Sequence, residues 1–214
     1  MPHVVLLGDS IFDNGAYVPD RPAVEEQVRR ALPGDWKVAL LAIDGHTTHD
    51  VESQLARLPE DASHLFISTG GNDALGASWI IGQSVFSMEE ALRLLEGVRM
   101  EFAEAYRGML KTVLALGKPT TVCTVYDSVP GLGQAERAAL AGFNEVILRE
   151  AFAASAGRVA VIDLRLVCDQ ASDYSHVSAI EPSATGGSKI SRVIAEVAMG
   201  HDFGRGSVAV FVGR

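Results

Sequence analysis

The chain reads as an α/β protein, a three-layer α/β/α sandwich around a central, mostly parallel five-stranded sheet. Three observations carry this reading. Five short apolar, β-branched runs recur along the 214 residues, stretches of helical periodicity separate them, and the runs are nearly continuous in apolar residues instead of alternating. Strands alternating with helices imply parallel pairing, and strands apolar on both faces imply helices on both sides.

The first run, His3 to Leu7, ends abruptly in Gly8-Asp9-Ser10, a small polar turn that holds a serine at the rim of the sheet. A helix is expected over Arg21 to Leu32, then a strand over Trp36 to Ile43 and a helix over Thr48 to Arg57, which Thr47 or Thr48 caps. The third strand, His64 to Thr69, runs into Gly70-Gly71-Asn72-Asp73. A long helix, Ser87 to Leu116, opens with Ser87 and Glu90 in capping-box spacing and closes at Gly117-Lys118-Pro119. The strand Thr120 to Tyr126, the helix Gln134 to Ala156, the strand Arg158 to Leu164 and the helix Ala184 to Met199 complete the series. Residues 1–200 form the expected domain. In the tail 201–214, Ser207 to Val212 reads as a short extra strand, either a sheet edge or a subunit contact.

Composition narrows the function classes. Hydrophobic residues are 48 % and charged residues 21 %, and the net charge of −9 with no basic, aromatic-interleaved cluster argues against a nucleic-acid partner. No run approaches the roughly 18 apolar residues of a membrane span. Met1-Pro2-His3 enters the first strand without a signal-peptide pattern, which favours the cytoplasm. Two unclustered cysteines, Cys123 in a strand and Cys168 in a late loop, fit neither a disulfide framework nor a zinc site, so both are expected reduced.

In open parallel sheets ligands bind beyond the carboxyl ends of the strands, where Ser10, Gly45, Asn72 and the loop Asp173-Tyr174-Ser175-His176 all fall. A serine hydroxyl needs a base, and His176 has an aspartate, Asp173, at a spacing that orients its ring. The N–H groups of Ser10 and Gly45 and the Asn72 amide would stabilise an oxyanion. Each feature has a plainer reading. Gly8-Asp9-Ser10 fits an ordinary strand-ending turn, Asn72-Asp73 a helix cap, Gly45 a permissive bend, and His176 a solvated loop histidine. His46 and His49 lie on the same edge, and His3, His64 and His201 read as structural; no histidine pair has metal-site spacing.

Taken together, Gly8-Asp9-Ser10 with Asn14, Gly45, Gly70-Gly71-Asn72-Asp73 and Asp173-x-x-His176 resemble, in order and spacing, the four blocks of the SGNH group of GDSL-type esterases and lipases. The resemblance spans nearly the whole chain. It implies the flavodoxin-like SGNH hydrolase fold and a serine hydrolase that cleaves small-molecule carboxylic esters, or thioesters, through an acyl-enzyme. Ser10 would be nucleophile, His176 base, Asp173 its orienting acid, and Ser10, Gly45 and Asn72 the oxyanion hole, with no metal or organic cofactor. The Gly-x-Ser-x-Gly elbow of the α/β-hydrolases is absent.

Two departures stand out. The family's histidine block runs into a nearby glycine and helix, whereas here Val177 to Thr185 intervene before Gly186-Gly187, and Ile180-Glu181-Pro182-Ser183 places a carboxylate in that interval. Such a glutamate either holds the loop or is solvated. Asp44 stands where the family often has an asparagine before its glycine. The apolar segment Ala74 to Phe86 is expected to line an acyl pocket or to pack against the core or a second subunit. The competing reading is a non-catalytic, flavodoxin-like module for a small phosphorylated ligand; a homo-oligomer is compatible with either.

Overall fold

The computed structural model describes residues 1–154, 159–205 and 208–213. In chain order the elements are β1 (His3–Gly8), α1 (Val24–Ala31), β2 (Lys37–Leu40), α2 (Val51–Leu55), β3 (His64–Ser68), α3 (Gly71–Gly76), α4 (Met88–Ala115), β4 (Thr120–Cys123), α5 (Gln134–Ala153), β5 (Val159–Ile162), α6 (Leu164–Val167), α7 (Ala184–Gly200) and β6 (Ala209–Phe211). The sheet order is β2-β1-β3-β4-β5-β6, every pair parallel. The sheet therefore has six strands and not five. The sixth comes from the tail, where Ala209 pairs with Ala160 and Phe211 with Ile162, so this segment is a sheet edge. Of the expected elements, Ser155, Ala156, Arg158 and Ser207 lie outside the described residues.

Alternate residues of each strand face opposite layers. Val4, Leu6, Phe66 and Ile162 pack with Val24 and Val28 of α1 and Ile190 and Ile194 of α7. Val5, Leu7, Ile67 and Val161 face Phe102, Tyr106 and Val113 of α4 and Val146 and Ile147 of α5. Burial of both faces explains why the strands read as unbroken apolar runs. Cys123 and Cys168 are buried and unbridged, and burial raises both thiol pKa values, that of Cys168 to about 12.

Several expected strands are shorter in the structure. β2 stops at Leu40 because the N–H groups of both Leu41 and Ala42 turn onto the Leu6 carbonyl. β4 stops at Cys123, and Val125 is instead held by the buried Asn144 of α5, which accepts from its N–H and donates to its carbonyl, each at 2.8 Å. Helix α1 begins three residues late, at Val24, where the Asn14 side chain accepts the first helical N–H. Ser87 caps α4 by accepting from Glu90 N–H, while the Glu90 carboxylate reaches back to Phe86 N–H. The expected cap at Thr47 is a reciprocal box with Asp50.

From β1 the chain passes to β2 on one side and then crosses back to β3 on the other. The crevice between the carboxyl ends of β1 and β3 is thus the point where strand order reverses, the place for a ligand in an open parallel sheet.

Candidate active site

Ser10 lies at that crevice. Gly8 ends β1 at φ +117°, so close to β3 that a Cβ would sit 1.7 Å from the Ser68 carbonyl oxygen, and only glycine fits. Asp9 N–H donates to the same carbonyl at 3.0 Å, while the Asp9 carboxylate accepts from Ile11 N–H and its carbonyl from Phe12 and Asp13 N–H. This turn consumes the neighbouring donors and leaves Ser10 N–H without an acceptor among the described residues. Burial raises the Asp9 carboxyl to about 8.

The Ser10 hydroxyl donates to Glu181 Oε1 at 2.9 Å. Glu181 is only 3 % exposed. Its desolvation raises its pKa from 4.5 to about 7, against the lowering effect of the Ser10 hydrogen bond. Its second oxygen, Oε2, is buried and has no donor among the described residues. The backbone around it is tied down on three sides. Ser175 N–H donates to the Glu181 carbonyl at 2.8 Å, Tyr174 and Pro182 form an antiparallel bridge, and the Tyr126 hydroxyl donates to the Ile180 carbonyl. Asn14 spans the two halves of the site, donating to the Pro182 carbonyl at 3.0 Å while capping α1.

Of the expected triad of Ser10, His176 and Asp173, no hydrogen bond among the described residues links His176 to either partner. Asp173 is wholly buried, and its Oδ2 accepts from Lys189 Nζ at 2.6 Å and from Gln170 N–H at 3.0 Å. That ion pair and turn anchor the loop; the other oxygen, Oδ1, is buried without a partner, and no hydrogen bond joins Asp173 to His176 among the described residues. His176 is exposed, makes no hydrogen bond among the described residues and does not line the crevice. The Asp173 to Ser175 stretch instead supports Glu181 from behind. A signal for Glu181 was present in the sequence. It stands five residues before Gly186 and just ahead of α7, the relation that the family's histidine block has to its glycine and helix. Gly186 is required there because a Cβ would lie 2.2 Å from the Asp173 carbonyl oxygen.

The other expected residues fall closer to place. Asn72, in the first turn of α3, lines the crevice with Ser10, and its amide donates to the His46 carbonyl at 2.9 Å, which fixes the side chain. One amide proton remains for a ligand. Gly45 adopts φ +80°, and its N–H has no acceptor among the described residues, but it is exposed and not part of the cavity wall. Gln54, not singled out from the sequence, is buried and clamps the end of β1, accepting from Gly8 N–H and donating to Gly8 O, and it contacts His46 Nδ1 at 3.0 Å. Asp73 accepts from the N–H and hydroxyl of Thr48.

A cavity of about 320 Å³ opens from Ser10, Asn72 and Glu181. Its walls are apolar: Leu75, Ile80 and Ile81 from the segment after Asn72, Leu92, Leu95 and Val98 from α4, Val125 and Val129, and Leu140 and Phe143 from α5. Helix α4 spans 28 residues, and none before Phe102 is buried. At about 1.5 Å per residue it far outreaches strands of three to six residues, so its first turns overhang the carboxyl edge and roof the cavity. The Ala74 to Phe86 segment therefore lines a pocket, although Trp79 and Phe86 remain largely exposed.

Among the described residues no group of three His, Cys, Asp or Glu side chains is arranged to hold a metal ion. No helix among them is long and apolar enough to cross a membrane.

The chain is similar over nearly its full length to several solved structures. A lipase from a goat rumen metagenome superposes with a TM-score of 0.69 at 19 % identity, covering 97 % of this chain and 100 % of that one. An extracellular lipase from Streptomyces rimosus gives 0.66 at 18 %, covering 93 % and 100 %. An acetyl xylan esterase from Geobacillus stearothermophilus gives 0.61 at 17 %, covering 92 % and 94 %. At such identities the likeness concerns the fold. No curated protein matches the sequence. Residues 6–187 match the GDSL-like Lipase/Acylhydrolase family, and with its serine turn, asparagine turn and parallel sheet the chain belongs to that family of carboxylic ester hydrolases.

Proposed function

We propose that this protein hydrolyses carboxylic esters through an acyl-enzyme on Ser10, with the Glu181 carboxylate as the base. The observation that carries the reading is the 2.9 Å hydrogen bond from the Ser10 hydroxyl to Glu181 Oε1. As Ser10 Oγ bonds to the ester carbonyl carbon, its proton passes to Glu181. The tetrahedral oxyanion is met by the Asn72 amide and the Ser10 N–H, with Gly45 N–H as a third donor from the rim. Collapse breaks the carbon–oxygen bond, and protonated Glu181 returns the proton to the departing alkoxide. Water then repeats the sequence and releases the acid. A thioester would follow the same steps with a thiolate leaving.

A carboxylate is ordinarily too weak a base for serine. Desolvation offsets this, since a pKa of about 7 brings Glu181 close to the operating range of an imidazole. The apolar cavity would take the acyl or alkyl chain of the substrate. The competing reading of a phosphorylated ligand has Glu181 against it, which lines the cavity and, once ionised, would repel phosphate.

Intact-mass labelling with a fluorophosphonate tests the assignment without a known substrate. Wild type and His176→Ala are expected to gain one adduct, on Ser10; Ser10→Ala and Glu181→Gln are expected to gain none or to react far more slowly. Loss of labelling in His176→Ala with retention in Glu181→Gln would return the base to His176.

A further inference from the structure

The two flanks of Ser10 differ in character. The cavity lies toward the α4–α5 layer and is walled by apolar side chains. The other flank is built from the loops that follow β1 and β2, and it carries Asp13 and Asp44. Tyr17 OH donates to Asp44 Oδ2 at 2.7 Å, and Asp44 N–H donates to Asp13 Oδ2 at 3.0 Å, so the carboxylates are fixed in place. Asp44 is near enough to Glu181 to oppose its ionisation. Among the described residues none of Asp13, Asp44 and Glu181 makes an ion pair. Independently, Glu181, 97 % removed from solvent, leaves its buried Oε2 without a donor. A buried carboxylate oxygen in that state is costly unless a donor or a positive charge meets it. Both departures from the family pattern noted in the sequence, Asp44 and Glu181, add negative charge to this flank.

We propose that this flank receives a protonated amine, so that the substrate is an ester with one apolar arm, held in the cavity, and one ammonium arm, held by Glu181 Oε2 and Asp44. The inference rests on the ester-hydrolase reading and adds the class of substrate. An ammonium N–H supplies the donor that Oε2 lacks, and its charge offsets the unpaired carboxylates. It also favours the ionised form of Glu181, the form that accepts the serine proton. A substrate of this kind would thus complete the base it uses, whereas a neutral ester would meet a partly protonated one.

Two isosteric pairs test the proposal at pH 7: dimethylaminoethyl octanoate against isopentyl octanoate, and octyl dimethylaminopropanoate against octyl isohexanoate. Each is compared by kcat/KM in wild type and Asp44→Asn, with ratios corrected for alkaline hydrolysis of the same esters. In one pair the cationic ester is expected to be preferred about tenfold, and Asp44→Asn is expected to shrink that preference about fivefold. The pair that responds identifies which arm is acyl. Neutral esters hydrolysed as fast as their cationic isosteres, or a preference unchanged in Asp44→Asn, would overturn the inference and leave the hydrolase reading standing. Fluorophosphonate labelling of Ser10 without hydrolysis of any of the four would also overturn the inference, while absence of both labelling and hydrolysis would overturn the hydrolase reading itself.

Discussion

Replacing Glu181 by glutamine removes the proposed base while keeping the shape and an acceptor for the Ser10 hydroxyl, and it should move activity and stability in opposite directions. Loss of a general base typically costs about 10²- to 10⁴-fold in rate. Stability follows from linkage. The folded protein holds the Glu181 proton up to about pH 7, whereas the unfolded chain loses it near the ordinary value of 4.5. The contribution of the raised pKa is complete below pH 4.5 and is lost as pH rises through about 7. Above that range the buried, ionised carboxylate costs the fold about 3 kcal/mol, at about 1.4 kcal/mol per tenfold. Glutamine carries no such cost, so at pH 9 the variant should melt about 6 °C or more above wild type, and near pH 4 the two should nearly coincide. Asp9, raised to about 8 by the same burial, gives both proteins a residual decline in the same direction. Calorimetry from pH 4 to 9 reads the stability arm, and kcat/KM against pH reads the catalytic arm. The wild-type rate should rise through about pH 7 as Glu181 ionises, an inflection absent from the variant. Full turnover with an intact inflection in Glu181→Gln would refute the reasoning, and a stability difference independent of pH would show that Glu181 is ionised throughout.

Other substitutions probe the frame around this pair. Asn72→Ala should lower kcat about 10²- to 10³-fold with little change in KM, because its amide acts chiefly on the oxyanion; steady-state kinetics with any turned-over ester decides it. Gly8→Ala should destabilise the protein by about 3 kcal/mol or more, seen as a lowered melting temperature, since φ +117° and the Ser68 carbonyl both exclude a side chain. Lys189→Met should cost about 3–5 kcal/mol in denaturant unfolding by removing the counter-ion of the wholly buried Asp173. Adding Asp173→Asn should restore much of that loss, and failure of the double variant to recover would locate the role of Lys189 elsewhere.

The layers and the serine were legible from the amino acids because both are local. Burial on two faces writes itself into β1, β3 and β5 as unbroken apolar runs, and the strand-to-turn break at Gly8 is visible in three residues. The carboxylate that meets Ser10 was legible only through its spacing to Gly186, and the reason is physical. Asp173 and His176 have the spacing of a working pair, but that spacing does not reveal that Lys189, sixteen residues on, claims the aspartate. Glu181 reads as a surface residue in isolation. Only the closure of its loop, by Asn14 from the other end of the chain and by Tyr126, removes it from water and turns it toward Ser10. The sixth strand was ambiguous for a related cause: three residues pair only because the exposed edge of β5 is there to receive them.

The overhang of α4 separates two requirements that most helices must meet at once. Its later turns, from Phe102 onward, are buried against the sheet, whereas its first turns, up to Leu95, face the space above Ser10 and solvent, and Val98 and Arg99 between them already meet the core and Glu145 of α5. Substitutions from Met88 to Leu95 can therefore reshape the cavity at little expense to folding, and drift in this stretch would change which ester is accepted before it changed whether the chain folds. In this protein part of the means of altering substrate choice lies in the first turns of one helix, apart from both the core and the reacting groups.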